Sequence, residues 1–392
     1  MFAIRHSWPR LTVAAAAGAL LLPALAVFAP CGWRLYLDAL ARRSAPLYQP
    51  RERVAGTNEP AAPRVAPALE QLDSHALEEA ARYASEHGSR ALLVSRHDHI
   101  VFERYWHGSS FTTLIDAGTF TPLLAALATG HALSHRQIGW PDEPVGIVLP
   151  EWANDPRGAI TVRNLMQNSS GLAPAASSGR PPTDLIAAAL AEPLSGIPGA
   201  TRREQAADAQ LLALVLARAT RERYAAYLSE TLWRPLGAAD AWLWLDKPGG
   251  AVHAECCMLA RQGDWIRVAQ LLLRDGNYRG AELIRPGWVT LMRAPARGDP
   301  RYGAFVQLAS PPAPGHEPYA ARDLFLVGGT GGNRMWLVPA LQLAIVRIAP
   351  DTDAGWDDSR IPNLIIRGAR DYVPPAAQPG ADVSGLVPGH PP

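Results

Sequence analysis

Apolar and polar positions alternate along this chain with two periods, and the switches between them outline its elements. In "LEQLDSHALEEAARYASEHG", from Leu69, apolar residues return every three or four positions and Gly88 stops the run, which predicts an amphipathic helix. "RALLVSRHDHIVFERYW" follows as two apolar stretches around a polar turn, a predicted hairpin. "LIDAGTFTPLLAALATGHAL", from Leu114, has the form of a loop feeding a buried helix. "GAITVRNLMQNSSGL" predicts a short strand and a helix ending in a glycine turn. Residues Thr183 to Leu236 are mainly helical in pattern, and "CCMLARQGDWIRVAQLLLRDG" is expected to be another amphipathic helix. The pattern then returns to strands in "YGAFVQLA", "DLFLVGGTGG", "NRMWLVPA" and "LQLAIVRIA", before a last helix in "IPNLIIRGARDYV". Strands at both ends with helices between predict an α+β domain. One antiparallel sheet is assembled from N- and C-terminal segments, flanked by helices and carrying a mainly helical insertion.

The flanks of that domain differ in composition. Arg5 and Arg10 precede an apolar run from Leu11 to Pro30, long enough for a membrane span of ~20 residues. Residues 1–31 are expected to be an uncleaved anchor with a cytoplasmic N-terminus, the alternative being a signal segment removed on secretion. Arg34, Arg42 and Arg43 on the far side weigh against that orientation. Residues 32–71, rich in Pro, Ala and Arg from Ser44 to Pro67, are expected to be a linker. The folded domain is expected over 72–373 and a disordered Pro/Gly-rich tail over 374–392. The expected location is the bacterial inner membrane, with the main domain in the periplasm.

A net charge of +1 gives no reason to expect nucleic acid. Three cysteines cannot build a disulfide framework, and adjacent Cys256 and Cys257 are expected as small packing residues rather than a bridge. The basic residues are almost all arginine, and Lys247 is the only lysine.

Several blocks together carry a family resemblance: "VFERYWHG", "ITVRNLMQNSSGL", "IPGATRREQAADAQLLALVLARAT", "LWRPLGAADAWLWLD", "GNYRGAELIRPGWV" and "LFLVGGTGGNRMWLVP". In this order and spacing, over roughly Leu72 to Val373, the chain resembles the serine β-lactamase and penicillin-binding-protein superfamily, nearest its class C-like esterases and nylon-oligomer hydrolases. The resemblance implies a β-lactamase-like fold. Active relatives place a serine at the start of the central helix and a lysine one turn later, so that the amine takes the hydroxyl proton. A Tyr-x-Asn or Tyr-x-Ser loop and a Lys- or His-x-Gly strand complete their site. Set on that pattern, this sequence has Gly118 at the serine and Thr121 at the lysine. Glu204 falls at the tyrosine, Ala206 at the following polar residue, and Gly329-Thr330-Gly331 on the strand. Lys247 lies three residues after Trp244, so no S-x-x-K occurs anywhere in the chain.

Each remaining polar residue has a functional and a structural interpretation. Thr119 or Thr121 could acylate if a base stood beside it. Thr121-Pro122 otherwise forms a helix start, with threonine as N-cap, proline in the first helical position, and Thr121 pushed out of helical dihedrals. Glu204 could replace the tyrosine as base, or be a solvated residue of the charged run "RREQ". His97-Asp98-His99 could offer metal ligands, but lacks a third and fits a hairpin turn. Ser109 and Ser110 fit a turn, as do Ser169, Ser170 and Gly171. "GGTGG" is followed by a strand rather than a helix and so does not form a phosphate loop. No cofactor and no metal are expected. The resulting expectation is a membrane-anchored homologue of serine hydrolases, without acyl-enzyme chemistry, that binds a cell-envelope small molecule or peptide in its groove or acts as a scaffold. The alternative is an active esterase or amidase with an unusual nucleophile.

Overall fold

The computed structural model describes residues 48–174, 183–309, 316–329, 331–353 and 355–374. The expected anchor over 1–31, most of the tail and Thr330 lie outside the described residues. Among the described residues no helix is long and apolar enough to cross a membrane.

The sequence patterns resolve into two antiparallel sheets. The larger has six strands: β2 (Ala91–Arg96), β3 (His99–Tyr105), β9 (Gln307–Leu308), β10 (Phe325–Val327), β11 (Arg334–Val338) and β12 (Leu343–Ile348), in the order β3-β2-β12-β11-β10-β9. Its centre joins the two ends of the domain, with Leu343 opposite Arg96 and Ile348 opposite Ala91. Because successive side chains on a strand point to opposite faces, the central strands divide their apolar residues between two cores. Leu92, Val94, Trp336, Leu343 and Ile345 meet helices α1 (Ser74–Glu86) and α9 (Arg360–Arg367). Leu93, Met335, Leu337, Ala344 and Val346 face the larger core.

That larger core is centred on α2 (Thr121–Ser134), a helix with apolar residues on every side and eleven of its fourteen residues buried. Such a helix needs cover all round. It receives cover from α5 (Ala206–Thr220) and α6 (Tyr224–Leu228), while α3 (Val162–Met166) packs on α5 and α7 (Trp265–Leu273) lies on the large sheet. The helical stretch includes α4 (Leu185–Ala191), and α8 (Trp288–Met292) presses on α2 so closely that a Cβ on Gly130 would lie 2.4 Å from the Trp288 ring. The hairpin turn is formed by His97 and Asp98, both in the left-handed region. His97 and His99 each bond Glu70 through Nδ1, at 2.6 and 2.7 Å.

Three expectations require correction. The single sheet is joined by a second of four strands, in the order β1-β5-β6-β4: β1 (Arg51–Val54), β4 (Leu114–Asp116), β5 (Ala241–Trp244) and β6 (Met258–Arg261). A short hairpin of β7 (Asn277–Tyr278) and β8 (Ala281–Glu282) stands apart. β1 falls inside the expected linker. Its backbone is satisfied by β5, and the following Glu59 and Pro60 carbonyls accept from the buried Arg267 guanidinium at 2.6 and 3.0 Å. Finally, the segment from Cys256 is not one helix. Met258 to Arg261 completes the ladder between β4 and β5, and α7 begins only at Trp265, beyond Gly263, where a Cβ would strike the Phe111 ring at 2.4 Å.

Candidate functional site

The turn entering α2 forms the floor of a cleft of about 510 Å³. Strand β4 delivers Asp116, whose carboxylate accepts from the Gly118 N–H at 2.9 Å. Asn333, at the start of β11, donates to the carbonyls of Asp116 and Ala117 at 3.1 and 3.2 Å, fastening the turn to the large sheet. Gly118 has φ +51°, and a Cβ there would meet only Asn333 Nδ2, at 3.8 Å. There is room for a side chain, but the backbone conformation favours glycine. Thr119 follows in the cleft wall, its Oγ1 buried and without a hydrogen-bond partner.

Thr121 lies elsewhere, and its expected role as an N-cap is not found. It has helical dihedrals (φ −63°, ψ −46°) in spite of Pro122. A 3-10 turn over Gly118–Phe120 precedes it, so the chain is already wound when it reaches the helix. The Thr121 side chain is fully buried beneath the cleft, and its hydroxyl accepts from the Met258 N–H at 3.4 Å.

The opposite wall comes from the loop before α5. Glu204 and Ala206 both line the cleft, as does Gly328. Gly329 sits between the walls: a Cβ on it would lie 3.0 Å from Thr119 Cγ2 and 3.2 Å from Glu204 Oε1. Gly331 follows with φ +94°, its carbonyl accepting from Arg334 at 2.7 Å. Thus Gly118, Glu204, Ala206 and Gly329, distant in sequence, gather at one cleft, whereas Thr121 is under it.

Sequence reasoning missed much of the lining: Asn168, Arg202, Gln205, Glu255, Cys256, Tyr302 and Gln307. The Arg202 guanidinium lies over the Tyr302 ring, 3.5 Å from its centroid, and 3.8 Å from Glu204, so the run "RREQ" is only partly a solvated surface. Gln205 turns inward, donating to Ser170 Oγ at 2.8 Å and to Asp208 Oδ1 at 2.7 Å. Asp208 is fully enclosed, and burial pushes its carboxyl up to about 7, against the lowering effect of its neutral donors. No serine, lysine or histidine is among the lining residues. Lys247 pairs with Asp184 at 2.7 Å on an exposed surface.

Cys256 and Cys257 form a disulfide, which corrects the expectation of simple packing residues. Cys257 takes φ +70°, and the pair ends at the cleft wall with Cys256 among the lining residues.

The family model described as Beta-lactamase matches residues 77–366. Among solved structures, the chain is similar to a Bacillus anthracis protein assigned as a 6-aminohexanoate-dimer hydrolase, at 16% identity and a TM-score of 0.68, covering 84% of this chain and 92% of that one. It is similar to a penicillin-binding-protein homologue from Caulobacter crescentus, at 17% identity and a TM-score of 0.60, covering 77% and 97%. A class C beta-lactamase from Rhodobacter sphaeroides matches at 16% identity and a TM-score of 0.58, covering 75% and 99%. At these identities the likeness is one of fold. A comparison with curated protein sequences gave no match.

Proposed function

The chain belongs to the beta-lactamase family, and from that premise we propose that its cleft binds a ligand without forming an acyl-enzyme. The observation that carries this is residue 118. At the turn where relatives of the resembled family hold a serine, this chain has a glycine with a left-handed backbone, and no lysine lines the cleft. Without a hydroxyl there and an amine to take its proton, the two-step covalent route has neither nucleophile nor base. What remains suits recognition: a guanidinium, two carboxylates and three amides around a partly apolar floor. A small polar cell-envelope molecule or a peptide segment fits that chemistry. The apolar run Leu11 to Pro30 would hold the domain at the membrane, facing the periplasm.

One observation favours a second reading. Thr119 Oγ1 is buried without a partner, and Glu204 stands across Gly329 from it. Brought within hydrogen-bond reach of that hydroxyl, the Glu204 carboxylate would be the base that a hydrolytic role needs. Treatment with a fluorophosphonate probe, followed by intact-mass spectrometry and an ester panel, separates the two. Binding alone predicts no adduct and no turnover, with thermal shifts from some envelope fragments. An adduct mapped to Thr119 and lost in Glu204→Gln would replace the binding reading with the hydrolytic one.

A further inference from the structure

The disulfide at the cleft wall has a neighbourhood that its packing role does not explain. His253, Cys256 and Cys257 place one potential ligand atom each within 4.8 Å of one another, and this is the only such group among the described residues. We propose that, once the disulfide is reduced by a dithiol, these three residues bind a thiophilic metal ion of the Zn²⁺ class. This inference is independent of the binding reading above and departs from the expectation of no metal.

Distances first support it. Two ligands of a tetrahedral zinc, at about 2.0–2.3 Å from the ion, are separated by roughly 3.5–3.8 Å. From their present spacing the histidine needs to close by no more than about 1 Å, while the sulfurs, once their bond is broken, must part from about 2.0 Å to roughly 3.8 Å. The chain supports the ring as well: His253 Nδ1 bonds Glu255 Oε1 at 2.8 Å, the carboxylate–histidine arrangement that orients metal-binding imidazoles.

The second support is an unsatisfied polar atom. Glu255 Oε2 is buried and has no hydrogen-bond partner. A buried carboxylate oxygen without a donor is costly, and a water in the fourth position of an ion held by the adjacent residues could donate to it. Cys256 Sγ lies 3.6 Å from Glu255 Oε1. In the disulfide that sulfur has no proton to donate; once reduced, its S–H can donate to Oε1. Cys257, with its left-handed backbone, is an outlier of the kind that clusters at functional sites. Because Cys256 and Glu255 line the cleft, an ion can enter there, and its fourth position can hold water.

The chemistry balances. The S–S bond accepts two electrons and two protons from a dithiol, which becomes a disulfide. Zn²⁺ then displaces two protons as the thiols become thiolates. The donor set of two sulfurs and one imidazole is soft and suits zinc over magnesium or calcium.

The test uses the full chain in detergent, reduced with a phosphine under argon, incubated with Zn²⁺, desalted and assayed for bound metal by mass spectrometry. Reduced protein should hold about one zinc per chain, whereas unreduced protein and Cys256→Ser/Cys257→Ser should hold less than a tenth of that. His253→Ala and Glu255→Gln should each weaken affinity by at least about tenfold. Circular dichroism establishes that the variants are folded; if the double variant is not, unreduced protein serves as the metal-free control. No zinc on reduced protein, or equal zinc on the unreduced form, overturns the proposal.

Discussion

Replacing Asp208 by asparagine should make the fold less sensitive to pH, in a direction that its surroundings fix. Asp208 lies inside α5 with neutral partners: Gln205 Nε2 at 2.7 Å and the Ser170 N–H at 3.4 Å. Burial raises its carboxyl from near 3.8 to about 7. Between those values the folded chain holds a proton that the unfolded chain has released, so raising the pH weakens the fold across that window. Below pH 3.8 both states are protonated and nothing is lost. Above 7 both are ionised, and at about 1.4 kcal/mol per pH unit the buried charge costs on the order of 4 kcal/mol. Asparagine keeps the shape and the bond from Gln205 while turning an amide toward the Ser170 N–H, a loss of about 1 kcal/mol that does not vary with pH. Urea denaturation of both proteins at pH 5 and pH 8 isolates the charge. Relative to the parent, Asp208→Asn should gain roughly 2–3 kcal/mol between the two conditions. An unchanged difference, or a larger deficit at pH 8, would refute the claim that desolvation dominates this carboxyl.

Other consequences follow from single residues. Thr121→Val removes the hydroxyl that accepts from the Met258 N–H; it should cost about 1–2 kcal/mol in chemical denaturation, and a near-zero change would mean the 3.4 Å contact is not a bond. Gly118→Ser fits sterically but holds a left-handed serine, so it should destabilise by about 1 kcal/mol. Adding Thr121→Lys would bury an ammonium in the core, so the double variant should stay unlabelled by penicillin-type and fluorophosphonate probes; stoichiometric labelling at residue 118 would show the site nearly complete. His131, bonded to Tyr227 and half-buried, is held neutral by burial down to about 4. Stability should therefore fall as pH drops from about 6.5 toward 4, and a urea series on His131→Gln should show a flatter profile over that range.

Segments whose own spacing declares their structure were legible in the sequence. The helix over Ser74–Glu86, the hairpin through His97 and Asp98, and the strands after Phe325 all correspond to patterns in consecutive residues. The family resemblance also reached the fold, which the Beta-lactamase match bears out. What escaped depends on partners far away in sequence. β1 reads as linker because only β5, beyond Asp240, satisfies its backbone. Arg202 reads as surface because Tyr302 beneath it is a hundred positions on. Thr121 carries every local sign of an N-cap, yet the preceding turn, held by Asp116 and Asn333, winds it into the helix. Nothing local distinguishes two neighbouring cysteines that pack from two that bond.

The pairing of β2 with β12 also sets an order of events during synthesis. β2 is buried along its whole length in the finished domain, yet one of its edges waits for β12, which begins 247 residues after β2 ends. At about 5–20 residues per second, a ribosome leaves that edge unpaired for roughly ten to fifty seconds. Throughout that interval a short apolar hairpin of β2 and β3 presents an open backbone ladder, the kind of surface that pairs with neighbouring chains. A chain truncated before Leu343 should therefore aggregate rather than fold as a smaller domain, which sedimentation of the truncated product would check.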